Sequence, residues 1–423
     1  VISEVAARPE PTFKPTEIGS IPSDWDVLPL ERIAQLERGK FSARPRNDPK
    51  YFGGSIPFIQ TGDVRNSGGL ITSYSQNLNN AGLKVSKLFP AGTLFITIAA
   101  NIGDLGFATF ATACPDSLVA IRPRKATDYQ WLYFALSSRK TSFESIATQN
   151  AQLNLNLEKL RPYLIAVPST AEQTHIADAL NDVDGLIRAL ERLLSKKQAI
   201  KQGMMQQLLT GKTRLPGFNE PWRATTFGRL GTFLKGRGVK RDDVRASGVA
   251  CIRYGELYTA FDDYTSVVRS FVSPEVAATA LPLRSGDLLF AASGETREEI
   301  GMCVSYVGPE PAIAGGDIVV LRGSEFNSIY VALLANTPEV VNQKSRAGQG
   351  DAVVHISSGA LAAIEVALPA REEQDAIASV VVDSDKEIQS LETRLRKAKA
   401  IKQGMMQQLL TGRTRLPVEE IAA

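Results

Sequence analysis

Ala199–Pro216 reads AIKQGMMQQLLTGKTRLP, and Ala400–Pro417 reads AIKQGMMQQLLTGRTRLP. The two stretches differ only where Lys212 becomes Arg413, and they lie 201 residues apart (400 − 199) in a chain of 423. Self-similarity at a fixed spacing marks a chain built from repeated units. The period is close to half the length, so the chain divides into two tandem halves that close with the same element. The match extends upstream, where Val167–Ala177 (VPSTAEQTHIA) parallels Leu368–Ala378 (LPAREEQDAIA). In both copies a proline precedes a Glu-Gln pair and an amphipathic run, which reads as a helix start.

From there apolar residues fall at Ile176, Leu180, Val183, Ile187, Leu190 and Leu194, and again at Ile377, Val381, Ile388, Leu391 and Leu395, with Ser384 at the one polar position. Steps alternating four and three describe a coiled-coil seam. After Leu194 and Leu395 the apolar set moves to Ile200, Met204, Leu208 and Ile401, Met405, Leu409. Each helix runs to about Thr210 or Thr411 and stops at Gly211 or Gly412, with a proline just beyond. Two helices of nearly forty residues, about 60 Å each, are expected to pack antiparallel, with the intervening domains at opposite ends.

The segments before the helices are diverged cousins. Ile21–Lys40 resembles Phe218–Gly238, aligning Trp25 with Trp222 and Gly39 with Gly236. IPFIQTGDV (Ile56–Val64) resembles VACIRYGEL (Val249–Leu257), and FPAGTLFIT (Phe89–Thr97) resembles LRSGDLLFA (Leu283–Ala291). Short β-rich runs bounded by Gly, Asn and Pro, with helices near Tyr129–Ser137 and Ser328–Asn336, predict mixed α/β domains. The expected class is α+β, with two such heads in tandem and two long helices. The expected order is a flexible tail (1–17), head 1 (18–166), the first long helix (167–212), head 2 (213–367), the second long helix (368–412) and a C-terminal tail (413–423).

Composition excludes several classes. Hydrophobic residues make up 43% and charged residues 22%, as in a soluble globular protein. A net charge of +3 means that any nucleic-acid role must rest on local basic patches. Three dispersed cysteines and two histidines argue for a reducing compartment and against a metal site. No apolar run reaches the roughly 18 residues a membrane span needs, and Leu94–Ala100 (LFITIAA) reads as a strand. The proline-bearing N-terminus lacks the core of a signal peptide, so the expected location is the cytoplasm. A start at Val1 instead of Met is read as processing or trimming.

The chemistry left is binding. TGKT at Thr210–Thr213 imitates a phosphate loop, but Gln206 stands where its first glycine belongs and the motif follows a helix. No catalytic constellation can be assembled, so no enzyme activity and no cofactor are expected in this chain. Two basic loops occupy matching places: RGKFSARPR, with Arg38, Lys40, Arg44 and Arg46, and KGRGVKRDDVR, with Lys235, Arg237, Lys240, Arg241 and Arg245. They are candidates for phosphate contacts, or they are solvated surface. Gln60, Thr61, Arg253 and Tyr254 in the paired IQTGD and IRYGE segments are weaker candidates that also fit turn chemistry. Gly203, Met204, Met205 and their mates Gly404, Met405, Met406 form either ordinary packing or a surface for a partner met twice.

Heads opening in P-x-x-W or E-P-W, then P-x-x-x-E-Q-x-x-I-A and a long helix closing in LLTG-K/R-TRLP, resemble the DNA-specificity subunit of type I restriction–modification systems. The resemblance covers about Ile18 to Pro417. It implies two target recognition domains, each reading half of a split double-stranded DNA site. It also implies assembly with two adenine-methyltransferase subunits and with restriction (translocase/nuclease) subunits. S-adenosylmethionine, ATP and magnesium are then expected on those partners, and no membrane association is expected.

Overall fold

The computed structural model describes residues 12–148, 155–309, 311–350 and 353–416. The chain falls into two compact units, residues 1–191 with 393–423 and residues 192–392. Each unit holds one head, the first half of that head's own long helix and the second half of the other.

The heads share one topology. In head 1 a five-stranded mixed sheet runs Ala34–Arg38, Leu118–Pro123, Leu94–Thr97, Leu105–Ala108, Leu70–Ile71. In head 2 the order is Thr232–Lys235, Ile318–Arg322, Asp287–Ala291, Cys303–Tyr306, Tyr264–Thr265. A four-stranded sheet accompanies each, centred on Phe52–Phe58 or Val249–Ile252. The central strands are buried on both faces, which explains why Leu94–Thr97 carries no polar alternation. Leu94 and Ile96 join the core under the helices, while Phe95 and Ala120 join the core against the second sheet. Phe290 and Leu289 divide in the same way in head 2.

A helix spans Tyr129–Ser137 in head 1 and Ser328–Ala335 in head 2. Asp128 and Asn327 cap them, Asp128 accepting from the backbone N–H groups of Gln130 and Trp131 and Asn327 from that of Tyr330.

The long helices span Thr170–Leu208 and Arg371–Leu409, 39 residues each. Gly211 and Gly412 follow with φ of 67° and 69°, the left-handed conformation that ends a helix. Within the first unit Asp184 pairs with Lys402 at 2.7 Å and Glu191 with Lys399 at 2.8 Å. Within the second, Lys197 pairs with Glu387 and Lys201 with Asp385. Numbers rise on one helix as they fall on the other, so the halves pack antiparallel. Asp184–Lys402 and Asp385–Lys201 are mates under the repeat.

The seam is divided by burial. Ile176 and Leu180 sink into the core of head 1, and Ile377 and Val381 into that of head 2. The first turns of each seam are therefore anchored by a head, which a heptad pattern alone does not distinguish from helix pairing. Ile187, Leu190, Ile388 and Leu391 are buried further along.

Phe13–Thr16, within the expected tail, forms a hairpin with Gly19–Pro22; the first eleven residues of that tail lie outside the described residues. Arg415, within the expected C-terminal tail, is tied into the first unit, as described below, and 417–423 lie outside the described residues. Among the described residues no helix is long and apolar enough to cross a membrane.

Candidate nucleic-acid interface and helix ends

In head 2 the strand Val249–Ile252 delivers Arg253 to the start of a short helix, Tyr254–Thr259. Glu256 fixes that start. Its Oε2 accepts from the Arg253 backbone N–H at 2.8 Å, and its Oε1 accepts from Ser270 Oγ at 2.6 Å. The Arg253 guanidinium stands 3.7 Å from the same carboxylate. Opposite lies the basic loop, where Asp243 accepts from the Lys240 backbone N–H at 2.7 Å. The two segments, separate in sequence, close a cleft of about 440 Å³ lined by Lys240, Arg241, Arg253, Tyr254 and Gly315–Gly316. Lys235, Arg237 and Arg245 are exposed elsewhere on the loop. Cations beside a 41%-exposed tyrosine ring suit phosphate attachment with groove contacts alongside.

Head 1 repeats the construction with other side chains. Asp63 Oδ2 accepts from Gln60 N at 2.7 Å and from Ser75 Oγ at 2.9 Å. The capped helix Thr61–Arg65 thus presents Gln60 and Thr61, with Gln60 Nε2 donating to Gln76 Oε1 at 3.1 Å. The basic loop here is partly tied down. Arg38 Nε donates to the Asp116 carbonyl at 2.7 Å, Arg46 pairs with the Asp116 carboxylate at 2.9 Å, and Arg44 bonds the Ala43 carbonyl at 2.8 Å. Lys40 is exposed. Gly39 and Gly236 are needed because a Cβ at either would collide with the backbone carbonyl of Pro115 or Gly315. The acid–serine caps were missed in sequence; the signal was an acid three residues beyond the capping position.

A second arrangement also escaped the sequence reading. Glu172, 3% exposed, accepts from Arg415 Nε and Nη2 and from Trp25 Nε1 at 3.1 Å. Arg415 also forks onto Asp24 at 2.8 and 2.9 Å and lies 5.8 Å from the Trp25 ring. In the second unit Arg214 grips Glu373, 1% exposed, through two bonds of 2.5 Å, donates to the Glu220 carbonyl at 2.9 Å and covers the Trp222 ring. The arginine of each closing segment therefore clamps the Glu-Gln pair of the opposite repeat. The glutamines work beside it. Gln173 donates to the Pro168 carbonyl and accepts from Asp128 N at 2.8 Å; Gln374 does the same with Pro369 and Asn327 N at 2.9 Å.

At the helix ends, Met204 and Met205 are half-buried against the core of head 2, and Met405 and Met406 against that of head 1. Ile200 and Ile401 are 43% and 57% exposed. A Cβ at Gly203 or Gly404 would meet nothing within 4 Å, so no close packing among the described residues requires a glycine at either position. Each helix end therefore offers an exposed isoleucine and a bare glycine beside methionines already in use as packing.

Residues 22–202 match the family model of the type I restriction modification DNA specificity domain. The chain is 30% identical over 188 residues to the type I restriction enzyme MjaIX specificity subunit of Methanocaldococcus jannaschii, spanning 43% of each protein. It is 24% identical over 442 residues to the putative MjaX specificity subunit of the same organism, covering 96% of this chain and 97% of the relative. Its fold is similar to the crystal structure of the S subunit of a type I restriction–modification system from M. genitalium, with a TM-score of 0.58 at 14% identity, over 94% of this chain and 98% of that one.

Proposed function

We propose that this chain is a non-catalytic DNA-specificity subunit of a type I restriction–modification system, and that each of its heads reads one half of a split, asymmetric DNA site. The observation that carries this reading is the matched pair of capped helix starts. One frame presents Gln60 and Thr61; the same frame presents Arg253 and Tyr254 in the other head. Unlike side chains in like positions call for unlike half-sites.

The basic loops attach to phosphates and give salt-sensitive affinity. Groove contacts then read a few base pairs per head, and the long helices set the distance between the two readings. Two adenine-methyltransferase subunits dock at the helix ends, one per repeat, and restriction subunits join for cleavage. Flipping the adenine and transferring the methyl group fall to those partners, with S-adenosylmethionine, ATP and magnesium bound there. The setting is the cytoplasm.

The test lengthens both long helices by four residues, after Leu194 and after Leu395. The insertions lie between the Asp184–Lys402 and Lys201–Asp385 pairs, so each pair keeps its register. Four residues add about 6 Å, and successive base pairs are about 3.4 Å apart. Methylated adenines mapped across a host genome should show the two original half-sites with roughly one or two more base pairs between them. An active variant that keeps its spacing, or changes a half-site, overturns the reading.

A further inference from the structure

We propose that a cavity beside the end of the first long helix is a socket for an arginine side chain of the methyltransferase partner on head 2, with Asp263 as its counter-charge. This rests on the helix-end docking reading above. The cavity, about 440 Å³, is lined by Met205, Leu209, Leu333 and Pro338 together with Asp263 and Asn336, and the exposed Lys212 and Glu339 also border it. Asn336 is pinned by the Cys303 backbone, accepting from its N–H at 3.0 Å and donating to its carbonyl at 2.8 Å, and it donates to Asp263 Oδ1 at 2.8 Å. Among the described residues Asp263 has no ion pair. The nearby Lys201 is committed to Asp385, which also accepts from Tyr264 OH at 3.1 Å. Burial raises the pKa of Asp263 against the opposing pull of the Asn336 bond and the Lys201 charge, so its carboxylate is only partly compensated by this chain. A guanidinium would complete the compensation. Its flat faces suit the apolar walls, and the Gln202 and Gln206 side chains at the rim can accept its remaining N–H groups.

Head 1 shows that the socket is a departure, not a requirement of the fold. Phe107 N donates to Gly69 O at 3.0 Å, as Ser305 N donates to Asp263 O at 2.9 Å, so Gly69 and Asp263 are equivalent positions. Over Gly69 lies Tyr133, packed with Phe107 and Tyr129 in an aromatic group. Head 2 has Ser305, Ser328 and Ala332 in those three places. Large rings have given way to small side chains, and a carboxylate has appeared that caps no helix and closes no ion pair. The socket accordingly belongs to one of the two docking faces.

The experiment titrates the full chain with its purified cognate methyltransferase subunit and resolves the one-partner and two-partner complexes by sedimentation velocity. Asp263→Asn keeps the shape and the bond to Asn336, and should weaken one partner site at least about tenfold while leaving the other unchanged. Gly203→Trp with Gly404→Trp, at positions where a Cβ meets nothing within 4 Å and which do not themselves line the cavity, should block both sites if helix ends dock the partner. If the tryptophan variant is blocked but Asp263→Asn assembles as wild type, or loses both sites equally, the socket is refuted and helix-end docking stands. If the tryptophan variant assembles normally, helix-end docking falls and the socket with it. Should Asp263→Asn not fold, as judged by its melting curve, Asp263→Ser replaces it under the same criteria.

Discussion

Replacing Arg415 with methionine removes a guanidinium that holds together three parts of the first unit: the Glu172 carboxylate, Asp24 and the Trp25 ring. Glu172 is 3% exposed and would retain only the 3.1 Å bond from Trp25 Nε1. Breaking a buried pair by deleting one partner costs about 3–5 kcal/mol, mostly because the remaining charge is stranded. At roughly 2–4 °C per kcal/mol for a unit of this size, the first unit should melt about 6–20 °C lower. Calorimetry on the whole chain is the suitable assay, since the two units need not unfold together. The second unit's transition should not move. Adding Glu172→Gln should recover most of the loss, because it removes the stranded charge. Arg415→Lys should recover less, since an ammonium cannot make the planar two-bond pairs that the guanidinium makes with both carboxylates. A melting point within about 2 °C of wild type would refute the reasoning. A double variant no more stable than Arg415→Met would refute it too, by showing that the charge was not the source of the cost.

Removing Lys235, Arg237, Lys240 and Arg241 together should weaken binding to every duplex and lower the slope of log K against log salt by about 0.9 per lost phosphate contact; an unaltered slope in the folded variant returns the loop to solvated surface. Lys344, 1% exposed and donating to the Gly301 carbonyl at 2.6 Å, is pushed down to about 8 by burial. Its folded pKa lies below its unfolded value, so the unfolded chain binds more protons between about pH 8 and 10.5, and head 2 should gain stability as pH rises through that window. Lys344→Met should therefore stabilise head 2 by about 2 kcal/mol at pH 7, after allowing for the lost hydrogen bond, and flatten the pH dependence in urea titrations; a less stable variant at pH 7 contradicts this.

The long helices were legible because alternating four- and three-residue apolar steps and two glycine stops are local properties of the chain, and the repeat displayed them twice. The sheets were legible only as short apolar runs. Strand order depends on pairings such as Leu70 with Phe107, which no local pattern encodes. Arg214 and Arg415 stood in plain view inside the repeated block, but their partners are 159 and 243 residues away. Each arginine crosses to the other repeat's helix, and comparing the two copies in register conceals such a crossing. The Met-Met pairs were ambiguous for another reason: methionine suits a core and an adaptable surface equally. The structure places both pairs against the heads and leaves Ile200 and Ile401 exposed. The basic loops were visible from charge alone, whereas the cleft joining Lys240 to Arg253 required the fold.

The two glutamines grip the heads chiefly through main-chain groups: the N–H of Asp128 or Asn327 and the carbonyl of Pro168 or Pro369. Such a fastening is nearly indifferent to the side chains elsewhere in the head. These bonds ask only that a capped helix begin at one point, while the apolar helix residues that enter each head's core make their own demand on its packing. Away from the core that receives the helices, side chains of a head can therefore change without disturbing these main-chain bonds. Few positions are held in common between the two heads of this chain, although their strand orders are the same. Under the reading proposed above, the joint is the preserved part of such a molecule and the reading surface the part free to diverge.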